Sequence, residues 1–469
     1  MLFPTLDFLL FFLVVAAALT ALDRRFAAKK AILALASYVF YAAWDWRFCF
    51  LLAGSTAISY LAGLTIGGSR DPRWRRLVLT VAVALHLTIL GIFKYLDFLV
   101  LSANRLAHLL GLAHELPFFE VLLPVGISFF TFHGISYVTD VYRGDVEVCR
   151  APLDMVLYMS FFPQLVAGPI VRAAYFLPQL ARPSHEPIPL AAALLLILGG
   201  MVKKVIIANY LATGLVDPVF AAPDQYGGPD LLLAAYAYAV QIYCDFSGYT
   251  DMAIALAALC GFRFPRNFNQ PYRALRLREF WQRWHISLST WLRDYLYKPL
   301  GGNRYGRLKT YRNLMITMLL GGIWHGAAWK FVMWGALHGG GLAVERMLIP
   351  RRDRPTSAIG RIVSWLVVFH FVCLAWIFFR AEDFAVAGVF IARLGVGWSE
   401  PLQQAAPATV ALILVGMAGQ FLPPGSFERA GRALEGVPYW GLGAVTGLAL
   451  AVINALGPEG IAPFIYFRF

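Results

Sequence analysis

The chain has 469 residues, of which 59% are hydrophobic and only 14% are charged, and its mean hydropathy is +0.64. A soluble domain carries about 25% charged residues, so this chain has too few of them to cover a water-exposed surface. The composition also excludes a disordered chain, a fibrous repeat and a small disulfide scaffold. It predicts an all-α polytopic membrane protein that forms one integral unit over residues 1–469.

The second feature of the composition is its excess of positive charge. Lysine and arginine total 40 against 27 aspartate and glutamate residues, a formal net charge of +13. The basic residues lie in short gaps between apolar runs, where they orient spans and contact anionic headgroups, so nucleic acid is not an expected partner. The five cysteines are scattered without a CxxC pair, which indicates neither a disulfide framework nor a thiolate metal site.

In chain order, the first predicted element is an apolar run at residues 3–22. No basic segment precedes it and no clear cleavage site follows it, so we expect a retained span whose C-terminal end is cytoplasmic. Residues 31–67 are too long for one span of about 20 residues. Trp44-Asp45-Trp46-Arg47 interrupts them with two indoles beside a charged pair, which predicts two spans that meet at an interface.

Apolar runs continue along the rest of the chain. Further spans are predicted at 77–101, 119–142, 187–215, 231–260, 361–379, 407–422 and 438–457. Residues 216–230 contain three aspartates but no lysine or arginine, and are the best candidate for an outside loop. Residues 151–170 and 386–397 are short or interrupted, which predicts re-entrant or interfacial helices. The total is roughly ten to twelve membrane segments.

Residues 241–345 form a polar and basic middle in this apolar chain. Asp245 and Asp251 open it, and carboxylates at membrane depth need charged partners or a wet cavity; the alternative is a helix end capped by aspartate in the headgroup region. Residues 261–310 then hold 11 basic and two acidic residues, a local balance of +9. Interleaved tryptophan and tyrosine residues indicate an interfacial anchor, and the same patch would attract an anionic acyl donor.

Two histidines of this middle are candidates for chemistry. His285 follows Trp284 in the basic stretch, and His325 lies between glycines in an apolar run. A desolvated imidazole is neutral, which is the form that a general base needs. For a lone membrane histidine the alternative is an interhelical hydrogen bond, which we predict for His86, His108, His114, His133, His185, His338 and His370. Ligand spacing does not support a metal at His285 and His325, and no GxSxG motif supports a hydrolytic triad.

Four stretches of the chain carry a family resemblance. They are FFPQLVAGPI at 161–170, CDFSGYTD at 244–251, NFNQPY through FWQRWH at 267–285, and GGIWHG at 321–326. With these motifs the chain resembles the membrane-bound O-acyltransferase family, and within it the bacterial branch of alginate O-acetyltransferase and the teichoic acid D-alanyl transfer protein. The C-terminal segment 463–469 is similar to the alginate branch.

The resemblance implies many helices around a central funnel or tunnel. It implies that His325 is the catalytic histidine at the narrow centre and that His285 is a second histidine on the cytoplasmic approach. We expect further substrate-binding residues to line the tunnel or hold the donor. They are Asp245, Ser247, Tyr249, Asn269, Arg283 and Trp324.

The family transfers an acyl group from a cytoplasmic thioester to a hydroxyl, and in this branch the group reaches an extracytoplasmic polymer. The resemblance therefore implies a bacterial inner-membrane enzyme with no bound cofactor or metal, in contact with membrane lipid. Acetyl is the first choice of acyl group, carried by coenzyme A or by a carrier protein and passed to a polysaccharide, directly or through an exported or periplasmic partner transferase. Two alternatives stay open: a polysaccharide or lipid exporter without acyl transfer, and an acyltransferase with a lipid or protein acceptor.

Overall fold

The computed structural model describes residues 1–22, 24–112, 116–182, 188–349 and 357–458. Within these ranges the chain is helical without a strand, which confirms the predicted all-α class. Two compact units are distinguished, Met1–Pro189 with Leu256–Pro265 and Leu190–Ala255 with Arg266–Phe469, so the single integral unit stays a prediction. His114, His185 and the C-terminal motif at 463–469 lie outside the described residues.

The first unit is built from nine α-helices among its described residues, and a π-helical turn at Gly91–Tyr95 joins the fourth to the fifth. The helices are Leu6–Ala21 (α1), Phe26–Asp45 (α2), Phe48–Gly68 (α3), Pro72–Leu90 (α4), Leu96–Leu109 (α5), Ile127–Arg143 (α6), Pro152–Ser160 (α7), Phe162–Leu165 (α8) and Ala173–Ala181 (α9). The two spans predicted within 31–67 are confirmed as α2 and α3. They meet where Arg47 Nη2 lies 2.6 Å from Asp45 Oδ2.

The histidine of α4 joins two helices of the first unit. His86 Nε2 lies 3.0 Å from Ser59 Oγ and His86 Nδ1 lies 3.3 Å from Ser55 Oγ, and both serines belong to α3. A Cβ atom at Gly134 of α6 would lie 2.5 Å from His86 Nε2, so glycine makes room for the ring. The interhelical hydrogen bond predicted for His86 is therefore confirmed.

The second unit carries the polar middle. Its helices among the described residues are Leu190–Met201 (α10), Asn209–Leu211 (α11), Asp217–Ala221 (α12), Gly228–Leu259 (α13, whose last turn is assigned to the first unit), Leu277–Arg283 (α14), Ile286–Leu292 (α15), Arg307–His325 (α16), Trp329–Leu348 (α17), Ala358–Arg380 (α18), Phe384–Val396 (α19), Pro407–Ala418 (α20), Ser426–Leu434 (α21) and Tyr439–Leu456 (α22). π-Helical turns lie at Val202–Ala208, Ala212–Val216 and Arg293–Tyr297. Short 3₁₀ turns lie at Pro223–Gln225, Pro271–Arg273, Gly397–Ser399 and Gly419–Phe421.

Six helices in the described part of the chain are long and apolar enough to cross a membrane. They are Phe26–Asp45, Phe48–Gly68, Pro72–Leu109, Leu190–Ala221, Ala358–Arg380 and Tyr439–Leu456. Shorter apolar helices lie at Leu6–Ala21, Phe384–Ser399 and Pro407–Phe421. The protein is therefore a multi-pass membrane protein, as its composition predicts.

Two of the predicted spans, 119–142 and 231–260, fall on helices that are not among these long or short apolar helices. Residues 116–125 are irregular, and α6 begins only at Ile127 and buries almost all of its side chains inside the first unit. The helix α13 has 32 residues, and its polar side chains include the buried Asp245 and Ser247. Apolar composition alone cannot distinguish a helix that faces lipid from one that is buried in protein.

Candidate active site

A tight helical hairpin positions the first histidine. Helix α16 ends at His325 because Gly326 is extended, with φ −170° and ψ 157°, and the chain returns as α17. The two helices approach closely at glycines: a Cβ atom at Gly322 would lie 2.2 Å from the carbonyl oxygen of Phe331, and one at Gly335 would lie 2.4 Å from that of Met318. Glycine therefore allows the backbone contact that fixes the end of α16.

Aromatic rings enclose His325, which is 3% exposed. Its ring centroid lies 4.9 Å from that of Trp334, 5.1 Å from Trp324 and 5.2 Å from Phe379, each with an edge-to-face geometry. Such a wall excludes water and leaves the imidazole in a medium of low polarity. A proton acceptor in that setting is not solvated by bulk water, which favours transfer from a placed hydroxyl.

The second histidine sits in a strained turn between α14 and α15. His285 has φ 41° and ψ 57°, a left-handed conformation that a residue other than glycine seldom adopts. The buried Asn267 holds this turn, because its backbone oxygen accepts from the Ile286 amide at 2.8 Å and its Oδ1 accepts from the amide and hydroxyl of Ser287 at 3.1 and 2.9 Å. Strain that the surroundings maintain in this way is typical of functional sites.

The ring of His285 is fully buried, and neither of its nitrogens has a hydrogen-bond partner among the described residues. Burial lowers the pKa of His285 to about 3, so the ring is neutral at physiological pH. Its centroid lies 4.6 Å from the Phe246 ring and 5.9 Å from the Trp324 ring. Both histidines therefore contact the same indole, and we call His285, Trp324 and His325 the histidine site.

The predicted tunnel residues of α13 lie beside two ion pairs, of which one is buried and the other half-buried. Lys204 forms an ion pair with Asp245, and Lys203 forms one with Asp251 and donates to Ser247 Oγ at 3.1 Å. We call these two lysines and two aspartates the ion-pair cluster. The carboxylates thus have the charged partners that the sequence predicted they would need, while Tyr249 is a fully buried member of the same helix.

Sequence reasoning missed the two lysines of this cluster. They lie in the π-helical turn Val202–Ala208, inside the predicted span 187–215. A Cβ atom at Gly200 would lie 2.6 Å from the Gly248 carbonyl oxygen, and one at Gly248 would lie 2.7 Å from that of Gly200, so the helices cross in contact here. Two adjacent lysines in an otherwise apolar run were the available signal, because such charges need partners.

The basic stretch surrounds a cavity of about 840 Å³, which we call the basic cavity. Six of its lining residues are cationic: Arg276, Arg278, Arg293, Lys298, Arg304 and Arg346. Asp294 offsets part of this charge through pairs with Arg293 at 2.8 Å and Lys298 at 2.7 Å. Glu345 is the acidic residue of the lining, and the cavity is large enough for a small anionic ligand.

Glu345 occupies the amino end of α14 next to this cavity. Its carboxylate accepts from the backbone amides of Leu277 at 2.5 Å and Arg278 at 3.2 Å. The helix terminus is therefore already capped by an anion of the chain itself. An anionic ligand of the cavity would be recognised by the arginine and lysine side chains instead.

The basic cavity reaches the surroundings of both histidines through its lining residues. Ile286 lines it and directly follows His285. Trp281 also lines it, and its ring lies 5.6 Å from the Trp334 ring that contacts His325. Trp281 Nε1 donates to His338 Nδ1 at 3.2 Å, which confirms the interhelical hydrogen bond predicted for His338.

The predicted donor-binding residues Asn269 and Arg283 hold each other. Arg283 Nη1 donates to the Asn269 carbonyl at 3.0 Å, the Asn269 amide donates to the Arg283 carbonyl at 2.9 Å, and Arg283 pairs with Glu279 at 2.9 Å. Arg283 lines an apolar groove rather than the basic cavity. Their role in donor binding stays a prediction, whereas their contact with the loop that precedes His285 is a property of the structure.

Among the described residues, no three histidine, cysteine, aspartate or glutamate side chains lie together in an arrangement that could hold a metal ion.

Comparison with known proteins adds the family. The model of the membrane-bound O-acyltransferase family matches residues 150–382, which include the histidine site, the ion-pair cluster and the basic cavity. A probable alginate O-acetylase of Azotobacter vinelandii is 46% identical over 366 residues, which cover 76% of this chain and 71% of that protein. A peptidoglycan O-acetyltransferase of Helicobacter pylori is 37% identical over 76% of this chain and 71% of its own length.

A more distant relative is a teichoic acid D-alanyltransferase of Bacillus subtilis, which is 29% identical over 55% of this chain and 69% of its own length. These relatives are named as transferases of acyl groups, which favours the enzyme over the exporter among the alternatives left by the sequence. The chain belongs to the membrane-bound O-acyltransferase family and is a membrane O-acyltransferase.

Proposed function

We propose that this enzyme transfers an acetyl group from a cytoplasmic thioester donor to hydroxyls of an extracytoplasmic polysaccharide, directly or through an exported or periplasmic partner transferase. The observation that carries the proposal is the histidine site, in which two buried imidazoles contact one indole next to the basic cavity. The relatives named for alginate and peptidoglycan acetylation support acetyl as the group and a polysaccharide as the acceptor.

The donor site is the basic cavity. A thioester of coenzyme A and a phosphopantetheine carrier both bring phosphate groups, and arginine side chains recognise phosphate with charge-assisted hydrogen bonds. The cavity also presents the hydroxyls of Ser289 and Thr290 and the apolar Leu314 and Met318. Phosphate at the cationic rim would leave the thioester arm to extend along these residues toward the histidine site.

His325 is the general base of the proposed reaction. It removes the proton of the acceptor hydroxyl while the hydroxyl oxygen attacks the thioester carbonyl. The C–S bond then breaks, the acyl C–O bond remains, and the proton passes from the imidazolium to the departing thiolate. Proton transfer by a placed side chain contributes about 10²–10⁴-fold to the rate.

His285 stabilises the oxyanion that develops at the carbonyl. A neutral imidazole carries one N–H donor, and the pKa of about 3 keeps His285 neutral through the working range of pH. Its ring nitrogens have no partner among the described residues, so the donor is available to substrate. Asn267 is a positioning residue, because it holds the turn that aims this ring.

The remaining predicted residues form the walls. Trp324 separates the reacting groups from water as the shared contact of the two histidines. The ion-pair cluster fixes the helix that carries Asp245, Ser247 and Tyr249, and Phe246 of this helix contacts the His285 ring at 4.6 Å. A rigid wall of this kind holds the thioester and the hydroxyl in reactive geometry.

Mass spectrometry of envelope polysaccharides tests the proposal. Cells that lack the protein should lose O-acetyl groups from one polymer, and the wild-type chain should restore them. The variant His325→Ala should be present in the membrane at the wild-type level without restoring them. Unchanged acetylation in the deletion strain would overturn the polysaccharide assignment, and an acetylated lipid or protein that disappears instead would identify the other acceptor class.

A further inference from the structure

A second cavity in the same unit has a different chemistry from the basic cavity. It measures about 930 Å³ and is bounded by α13, α14, the candidate membrane span α18, and α20 with the turn that follows it. Its walls include Ile362, Leu366, Phe369, Ile413, Leu414 and Met417, and we call it the apolar groove. Ile362 and Leu414 are more than half exposed, so the groove opens sideways on apolar helix faces.

One end of the groove is cationic. Arg273 and Arg361 both line it, and Arg361 lies in the first turn of α18. Trp365, one helical turn beyond Arg361, donates from Nε1 to the carbonyl oxygen of Tyr272 at 2.7 Å, and Tyr272 directly precedes Arg273, so the two arginines lie in the same part of the groove. The groove also contains Glu279 and Arg283, but these two form an ion pair at 2.9 Å, so they contribute no net charge. Arg273 is oriented by its hydrogen bond to Gln270 Oε1 at 2.7 Å, which leaves further guanidinium donors for a ligand.

At the other end of the groove, the polar side chains are already paired by hydrogen bonds. Tyr236 Oη and His370 Nε2 lie 2.6 Å apart, and His370 Nδ1 lies 2.7 Å from the carbonyl oxygen of Leu366. Because these polar atoms are hydrogen-bonded to one another, mainly carbon atoms face the groove at this end. His370 lies nine residues beyond Arg361 on α18, which corresponds to about 13 Å along the helix axis.

We propose that the apolar groove binds a phospholipid with an anionic headgroup. Its phosphate would contact Arg273 and Arg361, and one acyl chain would lie along Ile362, Leu366 and Met417. The groove lies beside a candidate membrane span, where lipid is the expected neighbour, and the two arginines match the charge of the headgroup. The site is separate from the histidine site, and binding to it does not depend on the proposed reaction.

Lipid binding can be measured on the full-length protein purified in detergent. The probes are phosphatidylglycerol and phosphatidylcholine with the same acyl chains, each titrated and detected by native mass spectrometry. We expect phosphatidylglycerol to bind at least tenfold more tightly, since each of the two arginines attracts the anionic headgroup. A brominated chain should also quench Trp365, which lines the groove, and this part of the quenching should be absent in Trp365→Phe.

Two variants test the headgroup contacts and the acyl-chain contacts separately. Arg273→Gln with Arg361→Gln should remove the preference for phosphatidylglycerol, whereas Met417→Trp should fill the groove and weaken both lipids. The matched control is Arg429→Gln with Arg432→Gln, which removes two exposed arginines of α21 and should leave the preference unchanged.

Three results would overturn the proposal. Equal binding of the two lipids would show that the groove does not recognise an anionic headgroup. Loss of the preference for phosphatidylglycerol in the α21 control would show that the preference comes from general attraction between charges. Co-purification of a peptide or protein that Met417→Trp displaces, without bound lipid, would assign the groove to a protein partner.

Discussion

The ion-pair cluster and the histidine site meet the same difficulty in different ways. Both place polar side chains in the interior of the second unit, where ionised groups are costly. In the ion-pair cluster, Lys203 and Lys204 compensate Asp251 and Asp245 at a helix crossing that two glycines make possible. At the histidine site, His285 is neutral and aromatic rings surround both imidazoles.

This difference distinguishes a region that supports the fold from a region that is suited to the reaction. A buried ion pair joins two helices, and removal of one partner leaves a costly buried charge. A neutral imidazole without a charged partner can accept or share a proton during a reaction. Variants of each region test whether the ion-pair cluster supports the fold and the histidine site carries out the reaction.

Removal of the His325 imidazole should affect the reaction and spare the fold. We expect His325→Ala to lower the rate of acetyl transfer by about 10²–10⁴-fold, because the general base is lost. The measurement is transfer from a labelled thioester by purified protein that elutes as a single folded species. His86→Ala is the control, a buried histidine with two serine partners, and it should lower thermal stability while activity per folded molecule is retained.

A single change in the ion-pair cluster should show the opposite pattern. Lys204→Met leaves Asp245 buried without its partner and should destabilise the protein by about 3–5 kcal/mol. The double variant Lys204→Met with Asp245→Leu should recover most of this loss, and its folded form should retain activity. Thermal unfolding in detergent measures both, and full stability in Lys204→Met would contradict the structural role of the pair.

Asn267 tests whether positioning of His285 matters to the reaction. Asn267→Ala removes the acceptor for Ser287 and should lower kcat about tenfold to a hundredfold with KM nearly unchanged, since small displacements of a reacting group are costly. Asn104→Ala is the control, because the Asn104 side chain anchors the backbone of Leu116 in the first unit, donating one hydrogen bond and accepting another. A rise in KM without a fall in kcat would assign Asn267 to substrate binding instead.

The basic cavity should respond to salt as well as to mutation. Arg276→Gln with Arg278→Gln should raise the KM of the thioester donor about tenfold at low ionic strength, and the difference should shrink as salt screens the charges. The α21 pair Arg429→Gln with Arg432→Gln provides the control. A KM that is indifferent to both the substitution and the salt would reduce the patch to a membrane anchor.

Another test concerns pH and stability. The pKa of His285 is about 3 in the folded protein, against about 6.5 in an unfolded chain, so the unfolded state binds the proton between these values. Burial of neutral His285 therefore costs no stability through this proton above pH 6.5. Below that pH the free energy of unfolding falls as the pH approaches 3, by up to about 1.4 kcal/mol per pH unit. His285→Asn, which tolerates the left-handed backbone, should flatten the fall in melting temperature between pH 7 and 5. A slope equal to that of the wild type would show that His285 is solvated.

Composition and local sequence patterns were enough to predict the membrane class, the all-α architecture, the break between α2 and α3, and the family. These depend on composition and on local patterns, since about 20 apolar residues already specify a span and the pair Trp44 and Trp46 already marks an interface. The need of Asp245 and Asp251 for partners was also evident, because that cost depends only on burial of charge.

Which residues contact one another became evident from the folded chain alone. Lys203 and Lys204 lie 48 and 41 residues before the aspartates that they pair with. Asn267 reaches across the turn to Ser287. Spacing along the chain does not encode such contacts, because they arise where glycines let helices approach. For the same reason, the basic stretch that begins before His285 became a bounded cavity only when α14, α15, α16 and α17 came together.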